Sequence, residues 1–86
     1  MSRFDKLVYS FLCGRQDANI RFSDARNLML ALGFRERIRG DHYIYTKEGV
    51  AEKINIQPLN NMAKPYQVKQ IRNLIIKYQL GDEDNV

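Results

Sequence analysis

Phe34-Arg35-Glu36-Arg37-Ile38-Arg39-Gly40-Asp41-His42-Tyr43-Ile44-Tyr45-Thr46-Lys47 is the stretch that decides the fold. In its first half Phe34, Glu36 and Ile38 alternate with Arg35, Arg37 and Arg39. A period of two is that of a half-buried strand, here with one wet, basic face. Gly40-Asp41 is a tight-turn pair, and residues 42–46 read as a second strand. Lys47-Glu48-Gly49 turns the chain again. Residues 53–57 follow as a third strand with Ile54 and Ile56 facing inward, and Pro58 ends the regular pairing or places it at an edge. Three strands in such tight succession make an antiparallel meander.

Outward from the meander the period is helical. Residues 2–12 carry Phe4, Leu7, Val8 and Phe11 at helical spacing; Ser2 with Asp5 resembles a capping box, and Gly14 supplies the stop. A short helix with one apolar stripe needs a surface to pack on, here the chain's own domain. Residues 15–22 are a linker pinned by Ile20 and Phe22. Ser23 is the expected N-cap of a second helix, whose buried stripe is Ala25, Leu28, Met29 and Leu32 and whose end is Gly33. After a polar loop at 60–64, Pro65 occupies the first turn of a last helix. Val68, Ile71, Leu74, Ile75 and Tyr78 form its stripe, Lys69, Arg72 and Lys77 its exposed side, and Gly81 its end. Helices covering one face of a small antiparallel sheet give an α+β sandwich. The expected organisation is an N-terminal helix and linker (1–22), an α-β-β-β-α domain (23–80) and an acidic tail (81–86).

Composition narrows the partners. The chain has 86 residues, enough for one small core, and a formal charge of +4. Its last six residues hold Asp82, Glu83 and Asp84 and no base, so residues 1–80 set 14 basic side chains against 7 acidic, a balance of +7. Such a body suits a polyanion, either nucleic acid or an acidic protein surface. Cys13 stands alone and His42 is the single histidine. There is therefore no disulfide framework, no cysteine zinc site and no paired-histidine metal motif, and no cofactor is expected. No apolar run reaches the length of a membrane span and no signal sequence is visible, so no membrane partner and a cytoplasmic location are expected.

Chemistry gathers at residues 39–47. Histidine exchanges a proton near neutral pH, and one such group inside a basic, aromatic strand suggests general acid or base chemistry on a phosphate-bearing polymer, worth about 10²–10⁴-fold. Guanidinium and ammonium groups then stabilise the charge that builds on phosphorus. Arg39 is nearest to His42 in sequence and Arg37 next, with Lys47 and Lys64 as further candidates. Arg35 is read equally as a phosphate contact or as a solvated strand position. With Ile44 taken as buried, His42 sits at the rim of the helix-packed face, and Tyr43 and Tyr45 join the arginines on the open face. There Tyr43 can stack on unpaired bases, whereas Tyr45 is read as a cross-strand neighbour. Asp41 is read as a turn residue, since adjacent strand residues point to opposite faces. Lys69 and Arg72 either contact the backbone of a phosphate-bearing polymer or form a solvated helix face.

Helix, three-stranded meander, helix is also the order of the double-stranded-RNA-binding domain. Within it, Leu32-Gly33-Phe34, Arg39-Gly40-Asp41-His42 and Ala63-Lys64-Pro65-Tyr66-Gln67-Val68-Lys69-Gln70-Ile71-Arg72 with Tyr78 resemble the motifs of the HicA family of bacterial toxins. The likeness covers residues 33–80 well and the preceding helix loosely; the helix at 2–12 resembles an extension found in longer members. It implies a double-stranded-RNA-binding-like sandwich and an endoribonuclease (mRNA interferase) that cleaves messenger RNA under the control of a HicB-like antitoxin. The family's essential histidine, in a Gly-Ser-His turn, falls on His42. Two departures are visible: Asp41 stands for the usual serine, and Tyr43 stands where a second histidine is often found. The alternative from another class is a non-catalytic RNA-binding module with the same fold and basic face.

Overall fold

The computed structural model describes residues 3–81. In it the alternating stretch forms β1 (Arg35–Arg39) and β2 (His42–Lys47), followed by β3 (Val50–Ile56) in the order β1-β2-β3, all antiparallel. Gly40 takes φ 60 at the first position of the two-residue loop, the left-handed conformation of a type II′ hairpin turn. That loop fixes the register, pairing Arg39 with His42, Arg37 with Ile44 and Glu36 with Tyr45. Strand β3 starts earlier than the alternation at 53–57 shows. Register slips between Tyr45 and Lys47, where Ala51, Glu52 and Lys53 face the single residue Thr46. This bulge hides the first half of the strand from a period-two reading.

Among the described residues three α-helices complete an α+β fold: α1 (Arg3–Leu12), α2 (Phe22–Ala31) and α3 (Pro65–Tyr78), with a short 3₁₀ turn at Asp17–Asn19. Phe11, Leu28, Met29, Tyr45, Ile56, Val68 and Ile71 are almost wholly buried between helices and sheet. Phe11 belongs to that core, so α1 is integral to the domain, packed on α2 and α3. Ser23 is not the cap of α2. The helix begins one residue earlier, with Arg21 extended at the N-cap and no side-chain capping bond. Phe22 is drawn into the first turn because its ring packs edge-on against Tyr43, centroids 4.7 Å apart. Helix α3 ends at Tyr78 through left-handed Gln79, φ 53, rather than at Gly81, and the Leu80 N–H returns to the Ile75 carbonyl at 3.0 Å. The capping expected of Ser2 and the acidic residues 82–86 lie outside the described residues. Among the described residues no helix is long and apolar enough to cross a membrane.

Candidate functional site: one basic sheet face and a groove beside it

Directly opposed residues of an antiparallel pair share a face. The register therefore gathers Arg35, Arg37 and Arg39 of β1, His42, Ile44 and Thr46 of β2, and Lys53 and Asn55 of β3 on the side away from the core. This corrects the expected parity of β2. Ile44 is only half-buried and lies among the arginines, while Tyr45 is 0% exposed in the core. His42 consequently sits on the arginine face rather than at the rim of the helix-packed one. Tyr43 leaves that face: its ring lies against Phe22, with the Arg26 guanidinium 5.4 Å from its centroid.

Glu36 explains the inward tyrosine. Its side chain is 12% exposed and accepts two bonds from Arg26, at 2.7 and 2.8 Å, and one from the Tyr45 hydroxyl at 2.7 Å. A carboxylate under the sheet needs such partners. The Arg26 bond foremost, with help from Tyr45, holds Glu36 below its ordinary pKa. Burial, together with the Glu36 carboxylate, pushes the Tyr45 phenol up. Both groups keep one protonation state at neutral pH, so the β1–β2 register is locked from below.

His42 stands directly across from Arg39 with its side chain 49% exposed. Its Nδ1 meets Asn55 Oδ1 at 3.3 Å. An amide oxygen only accepts, so with this assignment Nδ1 carries the proton and Nε2 is the nitrogen available to a substrate. Asp41 Oδ1 lies 3.6 Å from Nε2, ion-pair range for an imidazolium and too long for a hydrogen bond. The turn thus does bend Asp41 toward the ring, although its other oxygen is committed to Gln57 Nε2 at 2.7 Å. That Gln57 bond foremost, then a backbone hydrogen bond and the positive charge of Lys64 nearby, hold the Asp41 carboxyl below its usual range. An ionised carboxylate is therefore in place to stabilise an imidazolium when Nε2 takes up a proton. The chain matches no family model, no characterised protein and no solved structure.

Two concavities flank His42. One, about 280 Å³, lies on the sheet between Arg37, Arg39, Ile44, Thr46 and Lys53. The other, about 260 Å³, runs between β3 and the first turns of α3, with His42, Lys53, Asn55, Tyr66 and Gln70 along it. Lys53 borders both. A larger hollow of about 420 Å³, at the start of α2, holds Arg21 as its only charged side chain and none of these groups.

The remaining expected residues scatter. Lys64 is the N-cap residue of α3, close enough to the turn for its charge to act on Asp41. Lys47 sits at the far end of β2, about 17 Å from His42 at the usual strand rise, with its ammonium against Gly33. Lys69 is exposed on α3 but does not border the groove. Arg72 is not on a free helix face. Its Nη1 donates to both Asp17 oxygens, at 2.9 and 3.0 Å, and to the Phe11 carbonyl at 3.3 Å, which ties α3 to the segment after α1. Lys53 and Asn55 were readable in the sequence, since they alternate with inward Ile54 and Ile56. Tyr66 and Gln70, one helical turn apart, reach the site only because α3 lies along β3, and nothing local announces that.

Proposed function

We propose that this protein is a metal-independent endoribonuclease of the HicA kind, with a double-stranded-RNA-binding-like sandwich, that cuts messenger RNA and is held inactive by a HicB-like antitoxin. The observation that carries the reading is the half-exposed imidazole of His42 directly opposite Arg39 on a face that also holds Arg37 and Lys53. None of Arg35, Arg37, Arg39 and Lys53 forms an ion pair with another described residue, so their charge is available to phosphates.

The chemistry follows from the positions. With a phosphodiester lying between Arg39 and His42, Nε2 takes the 2′-hydroxyl proton as the 2′-oxygen attacks phosphorus. The bond to the 5′-oxygen breaks, and water in the open groove protonates the leaving oxygen. Arg39, with Arg37 and Lys53 beside it, stabilises the doubly charged transition state. Asp41 stabilises the imidazolium, and Asn55 keeps the ring oriented. The products are a 2′,3′-cyclic phosphate and a 5′-hydroxyl.

Purified chain is incubated with messenger RNA in the presence of EDTA, beside His42→Ala. Fragments ending in 2′,3′-cyclic phosphate from the wild type alone are the expected result. Equal cutting by both proteins, or cutting abolished by EDTA, defeats the reading. RNA bound by both and cut by neither leaves the non-catalytic module.

A further inference from the structure

We propose that the groove between β3 and α3 is a nucleobase pocket, holding one unpaired base of the RNA face-on to Tyr66 and edge-on to Gln70 and Asn55. This rests on the ribonuclease reading of the adjoining sheet face and assigns the substrate contact that sets which strand is engaged.

The two concavities beside His42 differ in chemistry. Guanidinium groups line the one on the sheet, and every polar atom they present is a donor, which fits phosphate oxygens. Amides line the other, where Asn55, Gln57, Gln67 and Gln70 converge with Lys53 as the only lysine or arginine. An amide offers a donor beside an acceptor. Its carbonyl repels a phosphate oxygen but matches a base edge, where donors and acceptors also alternate.

Not all four amides are free. Gln67 is 1% exposed and its Oε1 accepts the Lys64 N–H at 3.2 Å, capping α3. Gln57 is engaged with Asp41, and the Asn55 oxygen faces His42. What remains is the Asn55 NH₂ and the whole amide of Gln70, which is exposed and hydrogen-bonds to no other described residue.

Tyr66 completes the groove. The residue is 59% exposed on the first turn of α3 and stands outside the hydrophobic core cluster, so it offers an aromatic face to the groove. Unpaired bases are held by such combinations of aromatic stacking and polar groups on the base edges. The volume of about 260 Å³ is below that of pockets for drug-sized ligands, which fits one flat ring system better than a whole nucleotide. Since Lys53 and His42 border the groove, the base belongs to a nucleotide next to the scissile phosphate. Such a base must leave any duplex, so the substrate is single-stranded at the cut.

The test reads binding without cleavage. In a His42→Ala background, affinity is measured for one single-stranded oligoribonucleotide and for a set of copies with one abasic position each. Tyr66→Ala is expected to weaken binding of the intact strand about ten-fold, in the range of one stacked base. One abasic copy should bind as weakly as that, with no further loss on adding Tyr66→Ala. Tyr66→Phe keeps the ring and should keep the affinity, and Gln70→Ala should lose less than Tyr66→Ala. If the Tyr66→Ala loss is the same on every abasic copy, there is no base pocket, and cleavage of unmodified RNA by the wild type still stands or falls by itself. If base-dependent binding is found but the wild type cuts nothing, the pocket stands and the ribonuclease reading falls. No RNA binding at all overturns both.

Discussion

Arg39→Ala and Arg35→Ala remove the same group from the same face of the same strand, and their effects should differ by two orders of magnitude in rate. Arg39 is the cross-strand partner of His42, whereas Arg35 pairs with Thr46 at the other end of the strand. Four residues of extended chain displace Arg35 by about 14 Å along the strand, so it lies roughly 14 Å from the reacting phosphorus. A guanidinium ~4 Å from a unit of developing charge interacts by about 4 kcal/mol at an effective dielectric of 20. Loss of one such donor typically lowers kcat by about 10²–10³-fold. At ~14 Å in water the interaction is about 0.3 kcal/mol, and a Debye length of ~8 Å reduces it to less than about 0.1 kcal/mol. Single-turnover cleavage at saturating protein should therefore slow about a hundred-fold in Arg39→Ala and stay within about 1.5-fold of wild type in Arg35→Ala. Arg35 should appear elsewhere: loss of one phosphate contact lowers the slope of log Kd against log salt by about 0.7 for a single strand. Arg39→Lys, which keeps a charge without the fork, should fall between wild type and Arg39→Ala. Equal rate losses at the two positions would show that the catalytic phosphate does not sit between Arg39 and His42.

Tyr45→Phe deletes one hydrogen bond to a buried carboxylate without opening a cavity, a loss of about 2 kcal/mol. Tm should fall by about 10 °C in a domain of this size, and a calorimetric change under ~2 °C would remove the network from the stability account. Arg72→Ala should lower Tm by a few degrees through the lost Asp17 tie and leave RNA affinity alone; weaker RNA binding at unchanged Tm would return Arg72 to the interface. Glu36 and Asp41 both have carboxyl pKa values below their ordinary ones. Their contribution to stability is therefore complete above the unfolded-state value and is lost as pH falls through the lowered one. Denaturant midpoints should hold down to about pH 5 and then drop. Glu36→Gln should be less stable at neutral pH and should show a smaller acid-induced drop; an identical acid slope would refute the assignment.

The meander and the helices were legible because each rests on local physics: the alternation in 34–39, the Gly40-Asp41 loop, Pro65 at a helix start. What the sequence hid is tertiary. Arg72 looks like a solvated helix cation until the 3₁₀ turn brings Asp17 to it. Ser23 looks like a cap until Phe22 is required against Tyr43. The first half of β3 lacks alternation because it bulges.

The parity of β2 is a different case, because the information was present. A two-residue loop at Gly40-Asp41 pairs Arg39 with His42, and counting back along both strands pairs Glu36 with Tyr45. Phe34, Glu36 and Ile38 share a face, so either Phe34 is out or Glu36 is in. An inward carboxylate must find a donor, and Tyr45 brings a hydroxyl where Ile44 brings none. Hydrophobicity alone prefers Ile44 inside; the unpaired carboxylate outweighs it, since leaving a buried charge without partners costs more than exposing one aliphatic side chain. Once Tyr45 is inside, His42 must lie with Arg37 and Arg39. The polar residue beneath the sheet thus determines which face carries the imidazole, and replacing Glu36 by an aliphatic residue is the substitution that removes the reason for Tyr45 to point inward.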